Sequence, residues 1–147
     1  MDRDAVVQAM RAALGAAVGE PRTLPVDDLF VSVELTALRA AVELLQNEFD
    51  IWHLSTVTGL DDGEQLLLHY HFWQGSGLTL SVSLPYERAE APTLSDLIEV
   101  AGFYEREVAE MLGVTFVGNA DLRPLLLPDD WDEGPPLRRH VDGQGGQ

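Results

Sequence analysis

The sequence predicts an α+β fold in two layers: a mixed, mainly antiparallel sheet of about 4–5 strands with helices on one face, plus an extended C-terminal tail. Two observations predict the layers: apolar residues recur at helical spacing in some segments and alternate with polar residues in others. Prolines and leucines then dominate the end of the chain. We expect an α+β domain over 1–117, a proline-rich tail over 118–142 and a disordered end over 143–147.

Two helices are predicted in the first third of the chain. Residues 4–18 place valine, methionine and leucine at helical spacing, and either Asp2 or Asp4 can cap the first turn. The second helix is predicted to begin at Thr36 as its cap and to end near Phe49. Both helices carry one apolar stripe, so each is expected to pack on the sheet through that stripe.

Four strands are predicted from β-branched or alternating sequence, over residues 29–34, 51–58, 64–73 and 78–84. In the third strand one face carries Leu66, Leu68, Tyr70 and Phe72, whereas His69 and His71 share the other. The fourth strand alternates more strictly, so its threonine and both serines should face away from the core. Because the last two strands have one apolar face, helices should cover only that side.

A third helix is predicted over residues 103–112, ending at Gly113, with a linker over 85–92 before it and a brief strand over 114–117 after it. The apolar stripe of this helix comprises Tyr104, Val108, Met111 and Leu112. Arg106 and Glu110 lie four residues apart on the opposite side. Taken alone, that spacing indicates an ordinary surface ion pair.

Composition excludes several classes of function. The chain has a net charge of −16, and arginine is its only basic residue type, which argues against nucleic acid or an anionic membrane as partner. There is no cysteine, so this chain offers no thiol nucleophile and no thiolate for an iron–sulfur cluster. No apolar run approaches the roughly 20 residues of a membrane span. We therefore predict no direct membrane insertion.

The side chains that could support chemistry do not form a recognised catalytic set. His69 and His71 share one strand face at a spacing that can chelate a metal, with His53 as a possible third ligand. A small histidine-metal enzyme is thus one hypothesis. The acidic run around Trp131 lacks the alternation of a calcium loop, which favours a solvated or partner-facing turn.

The tail has too much apolar surface for water and too many prolines for a regular element. Its large apolar residues are Leu122, Leu125, Leu126, Leu127, Trp131 and Leu137. Its prolines are Pro124, Pro128, Pro135 and Pro136. Arg138 and Arg139 suit carboxylates. Such a segment needs a groove, and the residues alone leave open whether that groove belongs to this chain or to a partner.

One ordered motif resembles a known family. Its residues are Glu105-Arg106-Glu107, Glu110-Met111-Leu112-Gly113, Phe116, Gly118, Asp121-Leu122-Arg123, Leu126-Leu127-Pro128, Asp130-Trp131 and Pro136-Leu137-Arg138-Arg139. This order resembles the 30-kDa subunit family of respiratory complex I, which in bacteria is the C subunit of NADH–quinone oxidoreductase. Asn119 and Ala120 depart from it, because the family usually has histidine and proline there. Arg139 replaces a usual lysine.

The resemblance implies a non-redox structural subunit of the hydrophilic arm, on the cytoplasmic side of a membrane-bound oxidoreductase complex. The implied partners are a large 49-kDa-type subunit next to the quinone site and a neighbouring iron–sulfur subunit. Flavin, iron–sulfur or nickel–iron groups are expected on partners, with no cofactor and no activity on this chain alone. The equivalent subunit of a membrane-bound nickel–iron hydrogenase or formate hydrogenlyase complex is the alternative.

The interface residues that the resemblance implies lie on the third helix and along the tail. They are Glu105, Arg106, Glu107, Glu110, Asp121, Arg123, Leu127, Pro128, Asp130, Trp131, Pro136, Leu137, Arg138 and Arg139.

Overall fold

The computed structural model describes residues 1–119, Leu127 and residues 130–139. Its α-helices are α1 (Arg3–Leu14), α2 (Leu38–Phe49) and α3 (Ala101–Leu112). Its strands are β1 (Arg22–Leu24), β2 (Asp28–Ser32), β3 (Leu54–Asp61), β4 (Gln65–Trp73), β5 (Gly77–Pro85), β6 (Glu90–Pro92) and β7 (Thr115–Val117). Short 3₁₀ turns lie at Gly15–Ala17, Leu35–Ala37 and Tyr86–Arg88.

Five strands form one mixed sheet in the order β1-β2-β5-β4-β3. The short connections between β3, β4 and β5 make hairpins, whereas β2 runs parallel to β5 and antiparallel to β1. Strands β6 and β7 form a separate parallel pair. The predicted α+β class and the mixed sheet of about 4–5 strands are confirmed.

The chain divides into two compact units. Unit 1 contains Met1–Thr56 and His69–Val82, and unit 2 contains Val57–Leu68 and the chain from Ser83 onward. In unit 1, helices α1 and α2 pack on each other. Their stripes supply fully buried side chains, including Val6, Met10, Leu38, Val42 and Leu45. Burial of these stripes is what stabilises two helices of moderate intrinsic propensity.

The predicted caps of the first two helices have different outcomes. Asp2 caps α1, because its Oδ1 accepts the backbone N–H of Ala5 at 3.1 Å. Thr36 does not cap α2, and that prediction is wrong. The chain enters α2 through the 3₁₀ turn Leu35–Ala37, in which the Ala37 N–H binds the Glu34 carbonyl oxygen at 2.9 Å. A 3₁₀ turn satisfies that donor without a side chain.

Strand β3 begins three residues later than predicted because Asp50 and Ile51 terminate α2. Asp50 adopts a left-handed conformation with φ 56°, and the Ile51 N–H donates to the Leu45 carbonyl oxygen at 2.9 Å. The left-handed residue and this hydrogen bond close the last turn of α2. The chain becomes a strand only from Leu54.

The outer face of β5 is less exposed than its alternation indicates. Thr79 and Ser81, which are predicted to face away from the core, are nevertheless buried. Their strand is paired on both sides, and Thr79 Oγ1 donates to Asp28 Oδ2 at 2.7 Å. The hydrogen bond to Asp28 offsets the desolvation of the Thr79 hydroxyl.

In unit 2 the segment over 85–92, predicted to be a linker, contains a 3₁₀ turn and β6. The prediction of an irregular linker is therefore wrong. Strand β7 and the end of α3 at Gly113, which has φ 73°, are as predicted. The buried stripe of α3 differs: it is Ala101, Glu105, Val108 and Leu112. Tyr104 and Met111 are only half-buried. A carboxylate therefore lies among the core-facing residues of this helix.

Candidate functional site

The site is built around α3, which carries the charged part of the motif. Glu105 is fully buried, with 0% of its surface exposed. Its Oε1 accepts the Thr93 hydroxyl at 2.6 Å, and its Oε2 accepts the Leu94 backbone N–H at 2.8 Å. Burial raises the pKa of this carboxyl group above its ordinary value, although its hydrogen bonds act in the opposite direction.

Asn119 completes the environment of Glu105. Its Nδ2 donates to Glu105 Oε1 at 2.9 Å. Gly118, just before it, has φ 97°, and a Cβ there would lie 2.9 Å from Thr93 Cγ2. Only glycine combines that backbone conformation with such a close approach. The asparagine that departs from the usual family motif is thus a hydrogen-bond partner of the buried glutamate.

Glu110 binds the tail at a second residue, Leu127. Its Oε1 accepts the backbone N–H of Leu127 at 2.5 Å. Because the bond uses a main-chain hydrogen, it fixes the path of the chain at Leu127 whatever the side chain is. Arg106 and Glu107, between the two anchoring glutamates, are half-buried.

Arg138 binds the end of α3 from the tail. Its Nη1 donates to the Leu112 carbonyl oxygen and its Nη2 to the Tyr86 carbonyl oxygen, each at 2.9 Å. The guanidinium also lies 4.8 Å from the centroid of the Tyr86 ring. A cation at the C-terminus of a helix satisfies a free carbonyl and complements the helix dipole. The Leu137 N–H adds a bond to the Met111 carbonyl oxygen at 2.9 Å.

Asp61 binds the next residue of the tail. Its Oδ2 accepts the Arg139 backbone N–H at 2.5 Å, and its Oδ1 accepts the Tyr86 hydroxyl and the Gly63 N–H. Burial opposes ionisation of this carboxyl group, but the three hydrogen bonds and the Arg139 charge outweigh it and lower the pKa. Arg138 and Arg139 therefore bind groups of their own chain.

Two large apolar side chains are exposed, beside charged ones, in the described part of the tail. Leu137 is 59% exposed and Trp131 is 39% exposed, with the indole Nε1 donating to the Gly134 carbonyl oxygen at 2.7 Å. Phe103 on α3 and Val117 on β7 are also about half-exposed. Tryptophan is among the side chains that most often anchor protein contact surfaces.

The predicted interface residues fall into three groups. Glu105, Glu110, Leu127, Arg138 and Arg139 make contacts within the chain. Arg106, Glu107, Asp130, Trp131, Pro136 and Leu137 lie at the surface, either half-buried or exposed. Asp121, Arg123 and Pro128 lie outside the described residues. The anchors Asp61, Tyr86 and Thr93 escaped the sequence interpretation, since only their neighbours in space give them this role.

The arrangement of His69 and His71 does not support the hypothesis of a histidine metal site. His71 Nδ1 lies 2.9 Å from Thr79 Oγ1, and the ring centroids of His69 and His71 are 6.1 Å apart. Burial lowers the pKa of both imidazoles. Within residues 1–119, 127 and 130–139, no three histidine, aspartate or glutamate side chains converge where a metal could bind. His53 does not join the pair.

The same described residues contain no helix with the length and apolarity needed to cross a bilayer.

Two curated relatives indicate the family. The chain is 35% identical over 121 residues to the C/D subunit of NADH-quinone oxidoreductase from Bacteroides thetaiotaomicron, a match that covers 72% of this chain but 23% of that protein. The chain thus spans about a quarter of that relative's length. It is 26% identical over 148 residues to the C subunit of F(420)H(2) dehydrogenase from Methanosarcina mazei, with 97% of this chain and 94% of that protein covered.

The fold is similar to a solved structure of Nqo5, its trypsin-resistant fragment 1–134. The TM-score is 0.69 at 25% identity, and the match covers 83% of this chain and 100% of the fragment. Residues 31–147 match the family described as respiratory-chain NADH dehydrogenase, 30 Kd subunit. The match includes the whole motif from Glu105 to Arg139. The resemblance is confirmed, and this chain belongs to the 30-kDa subunit family of respiratory-chain NADH dehydrogenases.

Proposed function

We propose that this chain is a non-redox structural and assembly subunit of the hydrophilic arm of a complex I-like oxidoreductase, docking on the large subunit next to the quinone site. One observation carries the docking proposal. The tail is tied to α3 through its backbone and Arg138, while Leu137 and Trp131 remain exposed. Tryptophan and arginine commonly anchor interfaces. Exposed side chains on a backbone that is already anchored can bind a partner at a reduced entropic cost.

The names of relatives support the identity of the partner. The Bacteroides relative carries the letters of two subunits, C and D, in its name, and this chain spans 23% of it. A single chain that carries both names keeps the two parts together, which fits a large partner of the D type. We further propose a neighbouring iron–sulfur subunit and a location on the cytoplasmic side of the membrane, as the family resemblance implies.

The electron donor is proposed as NADH or another reduced carrier. The relative with almost complete mutual coverage is named as part of an F(420)H(2) dehydrogenase, which supports a donor other than NADH. Neighbouring genes distinguish these complexes from the hydrogenase-type alternative. A large subunit with two CxxC nickel-ligand pairs would favour a hydrogenase, and one without them would favour a quinone-reactive complex.

Docking is tested by co-purification with the large subunit encoded beside this chain. Leu137→Asp and Trp131→Ala should reduce the yield of the large subunit, because each removes an exposed apolar contact. Val26→Asp is the matched control, since Val26 is 82% exposed on unit 1. Equal recovery with all three variants would contradict docking through the tail.

The absence of a redox role is tested separately on the isolated chain. We expect the purified protein to contain no stoichiometric flavin, iron or nickel by absorbance and metal analysis. A stoichiometric chromophore or metal would overturn this part of the proposal.

A further inference from the structure

Two of the three motif glutamates on α3, Glu105 and Glu110, contact the tail of their own chain. Glu105 accepts Asn119 Nδ2 at 2.9 Å, and Glu110 accepts the Leu127 N–H at 2.5 Å. Leu137 then binds the Met111 carbonyl oxygen at 2.9 Å. The tail is therefore held at successive points from the first half of α3 to its last turn. The helix rises about 1.5 Å per residue, so the anchors from Glu105 to Met111 span about 9 Å, roughly half of its length.

Glu105 is suited to hold the chain and unsuited to meet a partner. It is 0% exposed, and all of its hydrogen bonds within the described residues go to Thr93, Leu94 and Asn119. A buried carboxylate of this kind is costly unless donors surround it. Its oxygens therefore fix the geometry of the donors, and Asn119 lies where the tail leaves β7.

We propose that Glu105 and Glu110 are positioning residues, whose carboxylates hold Asn119 and Leu127 on α3 so that these points of the tail are placed before the partner binds. This inference rests on the proposed docking function. It divides the shared motif by role: Glu105 and Glu110 act within the chain, and the more exposed Trp131 and Leu137 meet the partner. Placing the tail in advance reduces the ordering cost of association.

The first arm of the test measures amide hydrogen exchange of the isolated chain. Glu110→Ala removes the acceptor of the Leu127 N–H and should speed exchange there about tenfold. Glu110→Gln keeps a carbonyl oxygen at the same position and should restore slow exchange. Glu99→Ala, an exposed carboxylate just before α3, is the control and should leave exchange at Leu127 unchanged.

For Glu105, a second substitution can restore the hydrogen bond that the first substitution removes. Glu105→Gln places an amide that can no longer accept every donor around it, so the Asn119 side chain is held less firmly. Exchange of the Asn119 backbone N–H, which donates to the Phe116 carbonyl oxygen, should therefore rise about tenfold. Combining Glu105→Gln with Asn119→Asp reverses donor and acceptor in the pair, while the glutamine oxygen can still accept the Leu94 N–H. The double variant should exchange more slowly at position 119 than Glu105→Gln alone. A role in overall packing alone would give no such rescue.

The second arm measures affinity for the large subunit with the same proteins. Glu110→Ala and Glu105→Gln should weaken binding about tenfold, and the two compensated variants should bind more tightly than the variants that they repair. Unchanged exchange in the single variants would overturn the inference, as would faster exchange with unchanged affinity. If the unaltered chain binds no large subunit, the proposed function fails, while the exchange arm still decides whether the carboxylates hold the tail.

Discussion

The guanidinium of Arg138 lies 4.8 Å from the ring centroid of Tyr86 and donates to the Tyr86 carbonyl oxygen at 2.9 Å. The same guanidinium donates to the Leu112 carbonyl oxygen. One side chain therefore joins the tail, the turn after β5 and the end of α3. Planar donors and ring stacking are properties of arginine that lysine lacks.

Substitution of Arg138 should destabilise unit 2. Arg138→Ala leaves two carbonyl oxygens without this donor and should lower the free energy of unfolding by about 1–3 kcal/mol. Arg138→Lys should recover only part of that loss, because one ammonium cannot reach both carbonyls in the same fork geometry. Urea unfolding of the original chain and of both variants measures these free energies. A lysine variant as stable as the original chain would contradict the forked arrangement.

Asp61 should make the attachment of the tail end sensitive to acid. Its pKa is lowered from the ordinary 3.8, so its stabilising contribution is fully present above pH 3.8 and is lost as the pH falls through the lowered pKa. Asp61→Asn should therefore cost stability at pH 7, and the difference from the original chain should shrink below pH 3.8.

Urea unfolding at several pH values measures the Asp61 difference. Glu48→Gln, an exposed carboxylate of α2, controls for the change in net charge. A difference that grows toward low pH would contradict the proposed direction of the pKa shift.

Glu105 should show the opposite dependence on pH. Burial raises its pKa above 4.5, so its contribution to stability is fully present below pH 4.5 and is lost as the pH rises through the raised pKa. Glu105→Gln removes this titration. The stability of the original chain relative to the variant should therefore decrease from about pH 4 toward about pH 7, as measured by urea unfolding at each pH. An increase over that range would show that the hydrogen bonds outweigh burial.

Gly113 should tolerate no side chain. It has φ 73°, and a Cβ there would lie 2.7 Å from Pro135 Cγ. Gly113→Ala should lower the free energy of unfolding by about 1–3 kcal/mol, because it adds a clash to an unfavourable backbone conformation. Gly75→Ala separates the two effects, since Gly75 has φ 71° and a Cβ there would have no neighbouring atom within 4 Å. Equal losses of stability in thermal unfolding would indicate that Pro135 does not pack on Gly113.

The helices and most strands were predictable because burial imposes a period on the sequence. Val108 and Leu112 in α3, and Leu66 and Leu68 in β4, are all buried as their spacing indicates. The linker prediction failed for a different reason. Strand β6 exists through its pairing with β7, which is distant along the chain, and no local pattern in three residues records such a partner.

The candidate site shows the same limit more clearly. The order of motif residues predicted a site on α3 and the tail, but the spacing of Glu105 could not reveal that its side chain is buried. Its donors come from Thr93, Leu94 and Asn119, which only the folded chain brings together. Arg138 and Arg139 were expected to suit carboxylates at an interface. In the folded chain the groups that they bind are internal.

Three of the bonds that anchor the described part of the tail use main-chain amides. Leu127, Leu137 and Arg139 each donate a backbone N–H, to Glu110, Met111 and Asp61 respectively. A backbone donor is present in every residue except proline. Other side chains could therefore occur at these three positions without loss of the three hydrogen bonds. Such substitutions would change the groups that the tail presents to a partner. Proline is the exception at all three positions, because it has no backbone N–H to donate.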